Sequence, residues 1–334
     1  MYIAYITSDE YAPYAGISLT SIFENNKNVE YIKVFICCYD LSEKNKSKFI
    51  ETSIRYEREI EFIYINDFIE DLENKYNIKR FNGSCIGYSR MFPTKIFPEY
   101  VDRILYLDSD TVVIGNLSEL YDVEMEKTAL LMAENLGFEL YPESLPDNER
   151  IATNESGKNF NTGVILFNIE NYKKYDIEGI FERELLKQDQ YAFAEQSISN
   201  VCIPKEYIGH IHLKFNYYIH TSPKREEKDL LRIYENIYSI DELKEAIDSP
   251  IVIHYLGFQC RSWFKECKSS MKQEYETYKN ISEWKNIKPK SIYKSSKYLS
   301  MSLKEKIIVR VMIILWDSRL LYLVKKKFNK ISKW

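Results

Sequence analysis

The chain is short of the residues that mark several protein classes. It holds 10 Gly and 9 Pro in 334 residues, which excludes collagen-like and low-complexity chains. Its six Cys, at 37, 38, 85, 202, 260 and 267, include no CxxC pair. Residues 1–6 lack a basic n-region and read directly as a strand, so no secretory signal is expected there. Reduced thiols and a cytoplasmic location are the expectations that follow. Long apolar runs are missing too. In the C-terminal tail the longest uncharged apolar run is the six residues 311–316, against about 20 needed to span a bilayer. No internal repeat is visible. What is present in quantity is core material: 45% hydrophobic residues, with 28 Tyr and 17 Phe, enough for one large or two ordinary domains.

Charge is unevenly placed. The net value is −4, yet residues 285–334 carry 14 Lys and Arg against 2 acids, Glu305 and Asp317, a tail of +12 on a body of −16. A basic tail on an acidic body points to an anionic surface as the tail's partner. Nucleic acid is excluded as a partner because the body would repel a polyanion. The tail divides into a Lys/Ser/Tyr-rich linker over 285–300 and a helix over 302–328 capped by Ser302. That helix reads as interfacial, with Trp316, Tyr322 and Trp334 near lipid headgroups, or as a helix docked on the body or on a second copy.

Periodicity predicts strands at 2–7, 31–38 and 61–65, with helices over 11–23 and, capped by Ser42, to about 56. This β-α-β-α-β order argues for a parallel, nucleotide-binding half-fold. Further on, the pattern predicts a helix over 84–97, with Pro93 as a blemish, and strands at 103–107, 129–133 and 162–167. Helices follow over 169–187, 190–200 and 241–246, with a short strand at 201–203 and a last core strand over 250–255. Residues 139–160 read as a polar loop suited to a lid or an acceptor site.

Asp108, Ser109 and Asp110 stand at the carboxyl end of the strand 103–107, the edge at which ligands bind in open α/β sheets. Two carboxylates one residue apart repel unless a cation lies between them. Hard oxygen ligands suit Mg²⁺ or Mn²⁺, ions that commonly share their shell with phosphates. The motif alone also fits a solvated turn.

Four segments in order resemble glycosyltransferase family 8, which includes glycogenin and bacterial lipooligosaccharide galactosyltransferases. The likeness covers about residues 2–265. Its segments are Ile6 to Tyr11; Tyr88-Ser-Arg90 followed by Tyr106-Leu-Asp-Ser-Asp110; Phe160-Asn-Thr-Gly-Val164; and His254-Tyr-Leu-Gly257 with Trp263. The resemblance implies a GT-A fold over 1–284, a Rossmann-like mixed, mainly parallel α/β sheet flanked by helices; it omits the tail, 285–334, which charge and pattern mark as basic and helical. It implies a retaining hexosyltransferase using UDP-glucose or UDP-galactose, and the basic tail adds the expectation of a lipid-linked or surface glycan acceptor at the cytoplasmic face of the membrane. Asp108, Asp110 and His254 become metal ligands, for Mn²⁺ rather than Mg²⁺ given the imidazole. Without the resemblance His254 reads as a buried, hydrogen-bonded strand residue, and His210 with His212 is a less supported clamp.

The donor set it implies is Thr7, Ser8, Asp9, Tyr11, Arg90, Asp108, Ser109, Glu134, Asn161, Gly163, Gly257 and Arg261. Tyr11 would stack on the base or serve as a core aromatic. Arg90 would contact sugar and phosphate or form a structural ion pair. Asn135 competes with Glu134 for a sugar hydroxyl. The family's Lys after His-x-x-Gly falls on Cys260, so a one-residue shift puts Arg261 in its place. Glu195-Gln196, chosen over Asp189-Gln190 because Asn200 follows four residues after Gln196, supplies the catalytic pair. Gln196 stabilises the transition state and Glu195 lends electrostatic support, with front-face attack and double displacement both open. A catalytically weak nucleotide-sugar-binding protein and a glycogenin-like self-glucosylating enzyme are the alternatives.

Overall fold

The computed structural model describes residues 1–78, 84–135, 158–187, 194–218, 231, 235, 237–256 and 260–315. A seven-stranded sheet runs in the order β3-β2-β1-β4-β7-β6-β8. Its strands are β1 (Tyr2–Ser8), β2 (Lys33–Tyr39), β3 (Glu59–Tyr64), β4 (Arg103–Leu107), β6 (Leu130–Glu134), β7 (Phe160–Asn168) and β8 (Ile208–His210). The first four are mutually parallel, and β7 is antiparallel to both β4 and β6. This mixed, mainly parallel sheet with helices on both faces is the architecture the resemblance implies.

Alternation along the strands divides the core in two. Ile3, Tyr5, Val34, Ile36, Leu105 and Leu107 face one cluster, while Ala4, Ile6, Phe35, Ile104 and Tyr106 face the other. The first cluster is covered by α1 (Ala12–Asn25), α2 (Glu43–Tyr56) and aromatic residues from the end of the body, Trp263, Tyr275 and Trp284. α1 is buried almost all round because the sheet lies on one side and Trp284 on the other. A Cβ on Gly16 would stand 2.0 Å from the Trp284 ring, so glycine is what lets the indole lie against the helix.

Several expected elements differ. The helix expected over 84–97 is a 3₁₀ turn, Ile86–Met91, and a short α4, Pro93–Ile96. Pro93 restricts Phe92 and starts α4 at its first turn, where a missing N–H costs nothing. The helix expected over 169–187 breaks into α6 (Ile169–Lys174) and α7 (Ile177–Leu186), because Asp176 takes φ 51°. The strand expected at 201–203 is absent: α8 (Ala194–Cys202) runs on through Val201, since helix continuation outweighs a β-branched residue. The last strand is β9 (Val252–His254), and it pairs with β5 (Thr111–Val113) in a separate two-stranded sheet instead of joining the main one.

α3 (Asn66–Tyr76), α5 (Ser118–Tyr121) and α10 (Lys272–Ile281) are additions, and α9 (Ile240–Asp248) is longer than expected. The stretch 285–300, expected to be a linker, packs on the body. Ile292 and Tyr298 are buried in the first cluster, and α11 (Ser296–Ser300) leads to α12 (Leu303–Ile314). The backbone of Lys290 bonds Trp263 and Lys265. Apolar Ile and Tyr residues between the lysines are what a linker reading passes over. Ser302 caps α12 with a full capping box; the rest of the stretch expected to be helical, 316–328, lies outside the described residues. Among those described, no helix is long and apolar enough to cross a membrane.

Candidate active site

The strand order turns between β1 and β4, and the crevice at their carboxyl ends is where ligands bind in such sheets. Asp108 and Asp110 leave β4 in a tight turn. Asp108 N–H donates to Gly163 O at 2.8 Å, and Thr111 Oγ1 donates to Asp108 O at 2.8 Å. The β5–β9 ladder sets His254 opposite Thr111. His254 Nε2 thereby lies 3.2 Å from Asp110 Oδ1 and 3.7 Å from Asp108 Oδ2.

One ligand atom from each of the three residues lies within 4.8 Å of the others, the one such group of three or more among the described residues. The donor chemistry fits a divalent cation with mixed oxygen and nitrogen ligands. His254 is fully buried and its Nδ1 is 2.9 Å from Asn216 Oδ1. Burial pushes the Asp110 carboxyl up, but His254 and Arg261 outweigh it and hold the group well below the usual carboxylate range. His210 and His212 form no clamp: they pair with Glu242 and Glu245 of α9 at 3.0 and 3.2 Å.

Two cations flank the acids. Arg90 Nη1 is 2.9 Å from Asp108 Oδ1 and donates to Thr162 O at 3.0 Å. Its Nε is 3.5 Å from Glu195 Oε1, and its guanidinium lies 4.8 Å from the centre of the Tyr106 ring. Tyr106 OH donates to the same Asp108 oxygen at 2.5 Å. Burial pushes the Glu195 carboxyl up, with Arg90 opposing. Arg261 points into the site from the far side. Its Nη2 is 3.5 Å from Asp110 Oδ2, and its Nη1 donates to Tyr11 OH at 3.3 Å. Its Nε is buried without a hydrogen-bond partner among the described residues.

The β1–α1 turn forms the neighbouring wall. Tyr11 is half-buried and edge-on to Tyr14 and Trp263, and those two stack with ring centres 3.9 Å apart. Thr7 is buried, and the carbonyl of Ser8 accepts from Tyr11 N–H. Asp9 is largely committed to the fold. Its Oδ1 accepts from Ser42 N at 2.9 Å, from Ser42 Oγ at 2.5 Å and from Asn45 Nδ2 at 2.8 Å, tying the turn to the start of α2.

A polar chain runs from the other side. Gln196 Oε1 accepts from Asn161 Nδ2 at 3.2 Å and from Thr162 N–H at 3.4 Å. Asn161 Oδ1 accepts from Gly163 N–H at 3.0 Å and Asn216 Nδ2 at 2.9 Å. Asn200 fixes α8 to β7 by bonding both the N–H and the C=O of Phe160. The volume that Gly163 leaves open is filled from within, since a Cβ there would stand 2.0 Å from His254 Cε1.

Glu134 is buried, with Lys158 Nζ 2.7 Å from its Oε2 and its carbonyl accepting from Tyr218 and Tyr238 hydroxyls. Asn135 bonds Asn159. Ser109 is buried between the two acids. Gly257 and the pair Asp189-Gln190 lie outside the described residues. Sequence reasoning missed Asn216, Tyr218 and Tyr238; the first two carry one signal, a lone amide within the aromatic run Phe215 to Tyr218, and Tyr238 lies outside that run.

The model for "Glycosyl transferase family 8" matches residues 2–267. General stress protein A of Bacillus subtilis is 22% identical over 86% of this chain and 96% of its own. A lipopolysaccharide 1,2-glucosyltransferase of Escherichia coli is 24% identical over 87% and 81% respectively. A solved structure of the galactosyltransferase LgtC, in complex with donor and acceptor sugar analogues, superposes with a TM-score of 0.65 at 19% identity, covering 85% of this chain and 96% of that one.

Proposed function

The chain belongs to glycosyl transferase family 8, and on that premise we propose that it is a retaining hexosyltransferase. It takes glucose or galactose from a UDP-sugar and extends a lipid-linked or surface glycan. The observation that carries this reading is the Asp108, Asp110 and His254 cluster at the crevice between β1 and β4. Mn²⁺, or Mg²⁺ in its place, is the ion proposed for it. When bound there, a divalent cation would supply a Lewis acid for the leaving diphosphate.

The other roles are those of this chain's side chains. Arg261, whose Nε is buried without a partner among the described residues, offers further donors to a phosphate oxygen. Tyr11, half-buried beside Arg261, offers an aromatic face and edge to the base. Thr7, Ser8 and Asp9 hold the turn whose backbone would read it. Asn161 and Glu134 supply polar groups for sugar hydroxyls, and Gln196 and Glu195 face the position of charge development. Arg90 holds Asp108 and Glu195 at one guanidinium, so the two like charges are neutralised from a single point.

Donor hydrolysis tests this directly. Purified protein with Mn²⁺ and a panel of UDP- and GDP-sugars should release UDP from one UDP-sugar, and EDTA or Asp110→Ala should abolish the release. Binding of the nucleotide sugar without release, with or without acceptor, would favour a binding protein. No nucleotide binding at all would sink the reading.

A further inference from the structure

We infer that Asn216 is a positioning residue that sets both the metal-binding nitrogen of His254 and the amide orientation of Asn161; this rests on the function proposed above. Asn216 is fully buried in the 3₁₀ turn Leu213–Asn216, held against β9 by Ile251 N–H to Lys214 O and His254 N–H to Tyr217 O, both 2.8 Å. Among the described residues its side chain bonds one residue at each end.

The orientations of the Asn161 and Asn216 amides follow from one backbone group. Gly163 N–H can only donate, so the Asn161 atom 3.0 Å away is its oxygen. That oxygen also lies 2.9 Å from Asn216, so Asn216 presents its NH₂ there. Its oxygen therefore faces His254 Nδ1 at 2.9 Å, and Nδ1 must carry the proton. A neutral imidazole so held has its lone pair on Nε2, the atom 3.2 and 3.7 Å from the two carboxylates. The partner of a ligating imidazole's other nitrogen fixes its tautomer and ring plane. At the opposite end, Asn161 is left with its NH₂ toward Gln196 Oε1 at 3.2 Å. One buried amide thus ties the cation-holding residue to the proposed catalytic amide.

Two substitutions separate the ends. Asn216→Leu keeps the branched four-atom side-chain shape, with bulkier methyls, and removes both bonds. Asn216→Asp keeps an acceptor for His254 Nδ1–H but cannot donate to Asn161, whose amide then turns to face the introduced carboxylate and loses Gly163 and Gln196. Calorimetric titration with Mn²⁺ alone, thermal melting, and donor hydrolysis at saturating Mn²⁺ are the readouts. Asn216→Leu is expected to weaken Mn²⁺ binding at least about tenfold. Asn216→Asp is expected to hold Mn²⁺ within about threefold of the parent and to lose at least about tenfold in kcat. A folded Asn216→Leu protein with unchanged Mn²⁺ affinity overturns the inference, as does an Asn216→Asp protein whose affinity and kcat fall together or not at all. If Asn216→Leu does not fold, the split in Asn216→Asp decides alone. A parent protein that gives a flat Mn²⁺ titration fails the functional reading itself, a result distinct from either variant outcome.

Discussion

Gly163 and His254 share one volume, and neither can change alone. A methyl on Gly163 meets His254 Cε1 at 2.0 Å, and the ring cannot withdraw without breaking its bond to Asn216. Gly163→Ala is expected to cost about 1–3 kcal/mol by overpacking and to weaken Mn²⁺ binding at least about tenfold, checked by denaturant melts and calorimetry. The Asn-x-Gly motif was legible in the sequence, with its glycine in the expected donor set; that this glycine also admits a neighbouring side chain is a three-dimensional fact no spacing encodes. Asp9 is a similar case. Burial pushes its carboxyl up, but bonds from Ser42 and Asn45 outweigh that and leave it below its ordinary value. A depressed carboxylate stabilises the fold above its unfolded pKa and loses that contribution as pH falls through its folded one. Asp9→Ala should therefore destabilise at pH 7, by on the order of 1–2 kcal/mol, and the gap to the parent protein should close below about pH 4, as read from melting temperatures across pH.

The central strands were readable because buried parallel strands are near-continuous apolar runs, and β1, β2 and β4 fall close to where those runs lie. Elements whose packing face comes from far away were not. α10 and the stretch after it look polar in sequence, with Tyr275, Tyr278 and Trp284 spaced among charges, yet these residues close the first core cluster. The breaks at Phe92 and Asp176 depend on backbone angles that helical periodicity does not register. Trp284 is the seal of this layer: its ring lies against Gly16 and Phe49, and its Nε1 donates to Asn45 Oδ1 at 2.9 Å. Trp284→Ala is expected to cost about 3–5 kcal/mol. Gly16→Ala should also destabilise, because the atoms it meets belong to a rigid ring. Urea unfolding midpoints measure both.

Charge asymmetry gives the molecule a direction, −16 on the body against +12 on the tail. We expect the protein to sediment with vesicles containing anionic lipid and to leave them in high salt. α12 presents exposed Leu303, Ile307 and Ile314 while Ile308, Val309 and Ile313 pack inward. Deleting 316–334 removes six of the 14 basic residues; it should weaken that sedimentation and spare donor hydrolysis. Hydrolysis lost with the tail would overturn that division of labour. The seam between the two ends of the chain has a consequence in time as well as in space. Tyr11 meets Arg261 across 250 residues, Asn45 meets Trp284 across 239, and Glu10 meets Lys290 across 280. Contacts at such separations form late, after the loop between them has closed, and a chain emerging from the ribosome presents its N-terminal half first. A nascent chain halted before residue 261 therefore carries an uncovered groove at Gly16 and lacks the Arg261 wall. The crevice is finished by the last part of the body to be synthesised.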